Sequence, residues 1–217
     1  MLRSASEAGD AFADSGLTRP HVDAASHNPD NNAVFVYKIS EVVTCWSGKS
    51  GASHIWVYFA YKGNGRLRVI FETRVVNCFF KDPLKTRLPT AASSTSIETT
   101  PGEQIYFGGG DIENAFYRIL APELAKKYFT LPGIGAKHLG FTSINGVPVS
   151  PDTIIVPRLR VLPMGRNWSL WICQMIHEQC GLEADQSDHD KILDHTPLPP
   201  LRRHSVLHAK YVDNFLL

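Results

Sequence analysis

Two aspartates are the residues of this chain whose type and surroundings can do chemistry. Asp111 follows three glycines in the stretch 108–119, between a predicted strand end and a predicted helix start. Asp213 lies in YVDN (211–214), where apolar segments on both sides predict a strand, a tight turn and a second strand. Carboxylate oxygens are ligands that Mg²⁺ prefers, so two such aspartates can form a cation site if the fold brings them together. An aspartate beside glycines more often forms a turn or a helix N-cap.

The elements between the two aspartates alternate strand and helix patterns. Apolar and β-branched runs predict the strands, and glycine and proline mark the turns. In chain order, the sequence predicts a strand near 128–131, a joining loop over 133–152, a partner strand over 153–162, a glycine turn at 162–165 and a helix over about 168–180.

A β-hairpin is predicted upstream of these elements. Residues 55–61 and 66–71 have strand composition, and the Asn-Gly pair between them supplies the positive φ angles of a tight turn that also carries Lys62. Alternation along RLRVIF puts Arg66, Arg68 and Ile70 on one face and the apolar residues of the run on the other. The basic side chains are either solvated strand charges or ligand contacts.

Composition limits the class of protein. With 217 residues, of which 43% are hydrophobic and 20% charged, the chain is globular. It has no apolar run of membrane-spanning length, no signal-peptide core and only four cysteines, so an intracellular protein with reduced thiols is expected. Residues 1–33 carry two basic and five acidic side chains, a net charge of −3, which leaves +4 for the remainder. That charge permits nucleic-acid binding without arguing for it.

A second cluster of metal-ligating residue types lies on the predicted helix. Cys173, His177 and Cys180 share one helix face, and His189 and His195 follow in a loop, so a zinc site is one interpretation. The three residues follow one another at helical spacing, without the tight turn that carries a pair of ligands in common zinc sites. Packing in the helix core is therefore the favoured interpretation.

Four short motifs follow one another in a characteristic order. They are LRVIFETRVVN at 67–77, an aspartate followed five residues later by an aromatic (Asp111 and Phe116), LPMG at 162–165 before a helix, and YVDN at 211–214. Over about residues 57–217 they resemble the reverse transcriptase family: its fingers motif, first palm motif, LPQG-type motif and YxDD box. Asn214 replaces the second aspartate of that box, and Arg166 and Asn167 replace residues that are more often apolar or small.

The resemblance implies an α+β fold, the fingers and palm of a right-hand polymerase, with an antiparallel sheet and helices packed on one of its faces. Residues 1–33 are then a disordered N-terminal segment, 34–107 the fingers-like region and its connection, and 108–217 a palm that ends just after the YVDN hairpin. On this resemblance we expect the thumb to be missing and the chain to be a fragment, an incomplete or decayed retroelement copy.

The resemblance also assigns roles to residues. Asp111 and Asp213 are the catalytic residues and bind two Mg²⁺ ions, for which Mn²⁺ can substitute, with the Ile112 carbonyl as a further ligand. The residues expected to contact the incoming nucleotide are Arg68, Lys62, Phe116 and Gly165. Those expected to support the site are Arg74, Asn77, Tyr211 and Asn214. Arg74 is expected to act through Glu72 or backbone carbonyls.

The function implied is RNA-directed DNA polymerisation, in which dNTPs are added to a primer 3′-hydroxyl on an RNA or DNA template. An aromatic at Phe116 leaves no room for a 2′-hydroxyl and would favour deoxynucleotides, although a core aromatic is an equal alternative. The rival function is a catalytically inactive palm-fold module for nucleic-acid binding or assembly. A globular α+β enzyme of another kind is a third possibility.

Overall fold

A computed structural model describes residues 2, 4, 7, 43–47, 55–61, 67–99, 102, 104–201 and 206–217, with side chains except at 43–47, 67 and 68. The strands are β1 Val43–Ser47, β2 Trp56–Tyr61, β3 Leu67–Glu72, β4 Gly109–Asp111, β5 Ile134–Gly135, β6 Ser143–Ile144, β7 Val147–Pro148, β8 Ile154–Leu159, β9 Ala209–Tyr211 and β10 Asn214–Leu216. The helices are α1 Arg74–Asn77, α2 Ala91–Thr95, α3 Ala115–Arg118, α4 Glu123–Lys126, α5 Ala136–Leu139 and α6 Asn167–Glu183.

These elements make a mixed α and β protein with small antiparallel sheets. The residues form two compact units, one of Met1–Asp82 with Phe116–Ser169 and the other of Pro83–Ala115 with Leu170–Leu217. The expected division into 1–33, 34–107 and 108–217 stays a prediction, as do the fingers and palm. Within the described ranges, no helix is both long and apolar enough to cross a bilayer.

In the first unit, β2 and β3 form the predicted hairpin, in register from Trp56 opposite Glu72 to Tyr61 opposite Leu67. Ile70 is exposed and Phe71 buried, as the alternation predicts, because successive strand residues face opposite sides. The turn at 62–65, with Lys62, lies outside the described residues.

The sheet β1–β8–β5 completes the first unit, with β8 central. The prediction of a strand at 128–131 is wrong: Thr130 forms only a single bridge, to Arg158. Pro157 on β8 has no N–H, so it can accept from Leu131 N (2.8 Å) without donating in return.

The prediction of a plain loop over 133–152 is also wrong, because β5, α5 and the β6–β7 hairpin lie there. That hairpin turns at Asn145-Gly146, whose φ angles of 50° and 80° suit an Asn-Gly turn.

In the second unit, β10 lies between β4 and β9. The predicted helix is confirmed as α6, whose residues from Leu170 onward belong to this unit. A buried apolar cluster of Ile192, Leu207 and Ala209 packs against Leu216 of β10 and so supports this sheet.

The glycines before Asp111 allow β4 to approach β10. A methyl group on Gly109 would lie 2.8 Å from the Phe215 carbonyl oxygen, which is backbone and cannot move aside alone. We expect Gly109→Ala to lower the free energy of unfolding by about 1–3 kcal/mol in urea denaturation. A methyl group on Gly108 would meet nothing within 4 Å. The control Gly108→Ala should therefore change the free energy of unfolding by less than about 0.5 kcal/mol. Equal losses of stability in the two variants would contradict the close approach of β4 to β10 at Gly109.

Candidate functional site

Asp111 and Asp213 lie at the same end of the β4–β10–β9 sheet, within the second unit, Asp111 on β4 and Asp213 in the turn between β9 and β10. Asp111 is the last residue of β4 and pairs with Asn214, and Ile112 N donates to Asp213 O at 2.7 Å. Asn214 is the residue directly opposite Asp111, and the Cβ atoms of such a pair are about 4.5–5.5 Å apart. Asp111 is exposed and Asp213 half-buried. Two acidic residues that are far apart in the sequence therefore lie, by their backbones, at one solvent-accessible sheet end.

Asp213 lies in a strained turn. Val212 and Asp213 connect β9 to β10, and Val212 has φ of 58°, in the left-handed region. A β-branched residue is rarely found there, and such backbone strain costs about 1–3 kcal/mol. The turn must therefore be stabilised by its surroundings.

Three side chains of α6 hold this turn, and we call Cys173, Gln174 and His177 the hairpin clamp. The Gln174 amide donates to Lys210 O (3.0 Å) and accepts from Val212 N (2.7 Å). His177 Nδ1 donates to Val212 O (3.0 Å), and the Cys173 thiol lies 3.6 Å from the same oxygen. Gln174 is fully buried, and it was absent from the predicted site. A glutamine between Cys173 and His177 on the buried helix face is the signal that identifies it.

The core interpretation of the cysteine and histidine cluster is confirmed for Cys173 and His177, which are both buried. It is wrong for Cys180, which is exposed and lines a cavity. Burial raises the pKa of the Cys173 thiol to about 11, and the negative charge of Asp213 adds to the effect. The thiol thus stays protonated at neutral pH beside the aspartate.

The oxygen donors at the sheet end are two carboxylates and the Ile112 carbonyl, which also accepts from Ala115 N at 3.1 Å. Among the described residues there is no group of three or more histidine, cysteine or acidic side chains suited to a metal ion. Mg²⁺ typically uses one or two carboxylates together with water and substrate phosphates, so this donor set fits that ion.

Two of the expected supporting residues lie at the same sheet end. Asn214 Nδ2 donates to Asp213 Oδ1 (3.0 Å), which orients the carboxylate while leaving its second oxygen available. Tyr211 pairs with Asn214 across β9 and β10 and is exposed. The neutral Asn214 is therefore a direct neighbour of both aspartates.

The residues expected to contact nucleotide belong to the first unit, whereas the aspartates belong to the second. Arg68 lies on β3, with its side chain outside the described part of the chain. Phe116 on α3 is buried, which agrees with the core-aromatic alternative. Gly165 has φ of 93°, and a Cβ there would lie 3.4 Å from Thr73 Oγ1, so the LPMG turn requires glycine.

Arg74 and Asn77 lie on α1. Arg74 Nε donates to both carboxylate oxygens of Glu72 at 2.8 Å, as expected of a structural arginine. These hydrogen bonds lower the pKa of the Glu72 carboxyl, against the opposing effect of its burial. Asn77 Oδ1 is buried with no hydrogen-bond partner among the described residues.

Arg166 has a packing role that the motif comparison missed. Its guanidinium lies 3.8 Å from the ring centroid of Phe80 and 4.7 Å from that of Phe129, and the residue is 2% exposed. Burial lowers its pKa to about 10. A flat cation stacked on aromatic rings can fill a position that otherwise takes an apolar residue. Arg166 therefore packs against the core of the first unit.

A histidine and a lysine form a buried chain of hydrogen bonds at β9. His208 Nε2 donates to Ser187 O (2.8 Å), so its Nδ1 is the acceptor for the Lys210 ammonium at 3.0 Å. Burial lowers the pKa of His208, and the charges of Lys210 and Lys191 contribute to the effect. The imidazole is thus held neutral in the folded protein.

This neutral imidazole predicts a pH dependence of stability. Because the folded pKa of His208 lies below its unfolded value of about 6.5, the unfolded chain binds the proton more readily. The stabilisation is complete above that unfolded value and is lost as the pH falls below it. Urea denaturation between pH 7.5 and 5.5 should show a smaller loss for His208→Gln than for the unchanged protein. Parallel curves for the two proteins would contradict the prediction.

The sheet end thus combines two neighbouring carboxylates, a backbone carbonyl and a clamped turn, an arrangement that can bind divalent cations beside a phosphorylated substrate. The cationic residues predicted for nucleotide belong to the other unit. Compared with protein-family models and with curated proteins, the chain matches none at a significant level.

Proposed function

We propose that this protein is a reverse-transcriptase-like RNA-directed DNA polymerase that works by two-metal nucleotidyl transfer. The observation that carries the proposal is that Asp111 pairs with Asn214, the residue after Asp213, and that Ile112 N donates to Asp213 O at 2.7 Å. The four motifs in order add to it. We further propose that the protein acts inside the cell, where nucleic-acid templates and dNTPs occur.

In this proposal, Asp111 and Asp213 hold the cations and Asn214 fixes the orientation of the Asp213 carboxylate. Two Mg²⁺ ions, when bound, activate the primer 3′-hydroxyl and stabilise the pentacovalent phosphate. The hairpin clamp keeps the strained Val212 turn in place, so the carboxylate does not need to reorganise for each cycle.

The nucleotide would be bound by Arg68 and Lys62 through its phosphates, with Phe116 against the sugar and Gly165 near the templating pair. A planar guanidinium suits phosphate oxygens, which favours Arg68 for this role. These assignments, the fingers and palm, and the template with primer as partner rest on the motif resemblance.

The alternative function is a palm-fold module that binds nucleic acid or assembles without catalysis. Asn214 favours it, because a neutral amide stands opposite Asp111 where a third carboxylate would strengthen cation binding. Asn214→Asp separates the two functions: it should raise Mn²⁺ affinity in a catalytic site and have no effect on a non-catalytic module's nucleic-acid binding.

Primer extension tests the proposal directly. The purified protein is incubated with oligo(dT) on poly(rA), labelled dTTP and Mg²⁺ or Mn²⁺, and the products are sized. Incorporation that requires both the template and the divalent cation would support the polymerase. Template binding without incorporation under either cation would favour the non-catalytic module instead.

A further inference from the structure

The second unit contains a cavity of about 230 Å³ on the side of α6 that faces β10. Its walls are largely apolar and include Ala184, Phe215 and Leu216. Lys210 and Gln186 add polar groups to the lining. An apolar cavity of about 150 Å³ is sufficient for benzene, so this one has room for a single substituted ring.

Lys210 brings a buried ammonium group to this cavity. The residue is 4% exposed, and its hydrogen bond to His208 Nδ1 uses one of three donors. Within the part of the chain that the structure describes, no carboxylate oxygen lies within 4.0 Å of Lys210 Nζ. A buried ammonium without such a partner has a large desolvation cost, which a ligand acceptor would offset.

Gln186 brings an acceptor to the same place. Its Oε1 is buried and receives no hydrogen bond among the described residues. A Cβ atom on Gly181 would lie within 3 Å of both Gln186 Oε1 (2.8 Å) and Lys210 Nζ. An unused donor and an unused acceptor therefore lie side by side, and Gly181 is the residue that gives them the space.

A hydroxyl group matches this pair, because it accepts one hydrogen bond and donates another. The apolar walls and the aromatic ring of Phe215 suit a flat apolar body. We propose that the cavity binds a small aromatic alcohol of the phenol class, with its hydroxyl between Lys210 Nζ and Gln186 Oε1. Ile112 and His177 also line this cavity, so it adjoins the sheet end that carries the aspartates. The proposal for the cavity holds whether or not the protein is a polymerase.

Titration of the whole protein with phenol, toluene and anisole tests the site, with binding followed by ligand-observed NMR and calorimetry. Phenol should bind at least about fivefold more tightly than toluene, because each satisfied hydrogen bond contributes about 1 kcal/mol. Anisole, which accepts but cannot donate, should fall between them. Equal affinities, or no phenol binding at millimolar concentration, would overturn the proposal, and the second result means that the polar atoms hold only water.

Gln186→Leu provides the matched variant, because Gln186 is only half-buried and its loss leaves α6 intact. It should weaken phenol about fivefold and leave toluene unchanged, since one hydrogen bond of about 1 kcal/mol is removed. Gly181→Ala should weaken both ligands, because the added methyl displaces the Lys210 amine. Phenol affinity unchanged in Gln186→Leu would overturn the assignment of the hydroxyl position.

Discussion

Asp213→Asn should lower nucleotide incorporation by about 10³-fold or more, since a lost metal ligand removes several kcal/mol of transition-state stabilisation. Asp111→Asn should do the same. Each change keeps the size of the side chain and removes the negative charge that would hold the cation in the proposed site. Because Asp111 is exposed and Asp213 only half-buried, neither variant should unfold the protein. Primer extension measures the rate, and direct titration with Mn²⁺ should show the same loss of binding.

Asp152→Asn is the matched control. Asp152 is an exposed aspartate of the first unit, paired with Lys137 at 3.0 Å. Such a surface ion pair contributes at most about 1 kcal/mol, and the residue has no place in the proposed site. The control should keep both incorporation and Mn²⁺ binding. If Asp111→Asn and Asp213→Asn behaved like Asp152→Asn, the metal site would be wrong even if the protein were a polymerase by other means.

Gln174→Leu should give the second large effect, a loss of about 3 kcal/mol in the free energy of unfolding. The leucine has a similar size, but it leaves the Lys210 carbonyl and the Val212 amide unpaired. Each buried unpaired group costs about 1–3 kcal/mol, and the Val212 turn is already strained. Urea denaturation gives the loss, and faster hydrogen exchange of the Val212 amide would locate it.

Gln179→Leu makes the same chemical change on the exposed face of the same helix. Among the residues that the structure describes, the Gln179 amide donates only to Glu183, at 3.1 Å and four residues along α6. Its replacement should cost less than about 0.5 kcal/mol, as is usual for such surface contacts. Similar losses for Gln174→Leu and Gln179→Leu would show that the clamp does not stabilise the turn. Greater loss of incorporation in Gln174→Leu would further link the turn to the position of Asp213.

Local residue patterns predict much of the secondary structure correctly. Composition and turn signals indicate the β2–β3 hairpin, the apolar strand that is β8 and the helix that is α6. They also put Asp213 at a hairpin tip, because Tyr211–Asn214 separates two apolar runs. The spacing of apolar residues and the residue types that form turns are properties of neighbouring positions. A single stretch of chain is therefore sufficient to recognise them.

Other features depend on contacts between distant segments. The pairing of Asp111 with Asn214 and the burial of Gln174 beneath Val212 arise only when β4 and α6 meet the hairpin. The stacking of Arg166 on Phe80 has the same origin, and a motif comparison interprets that arginine only as a departure. Each helix or strand is determined largely by the residues within it. Which helices and strands contact one another is determined by side-chain packing and by the hydrogen bonds that buried polar groups must form in the folded chain. The residue types at the site can thus be read from the sequence, and their association is decided by the tertiary structure.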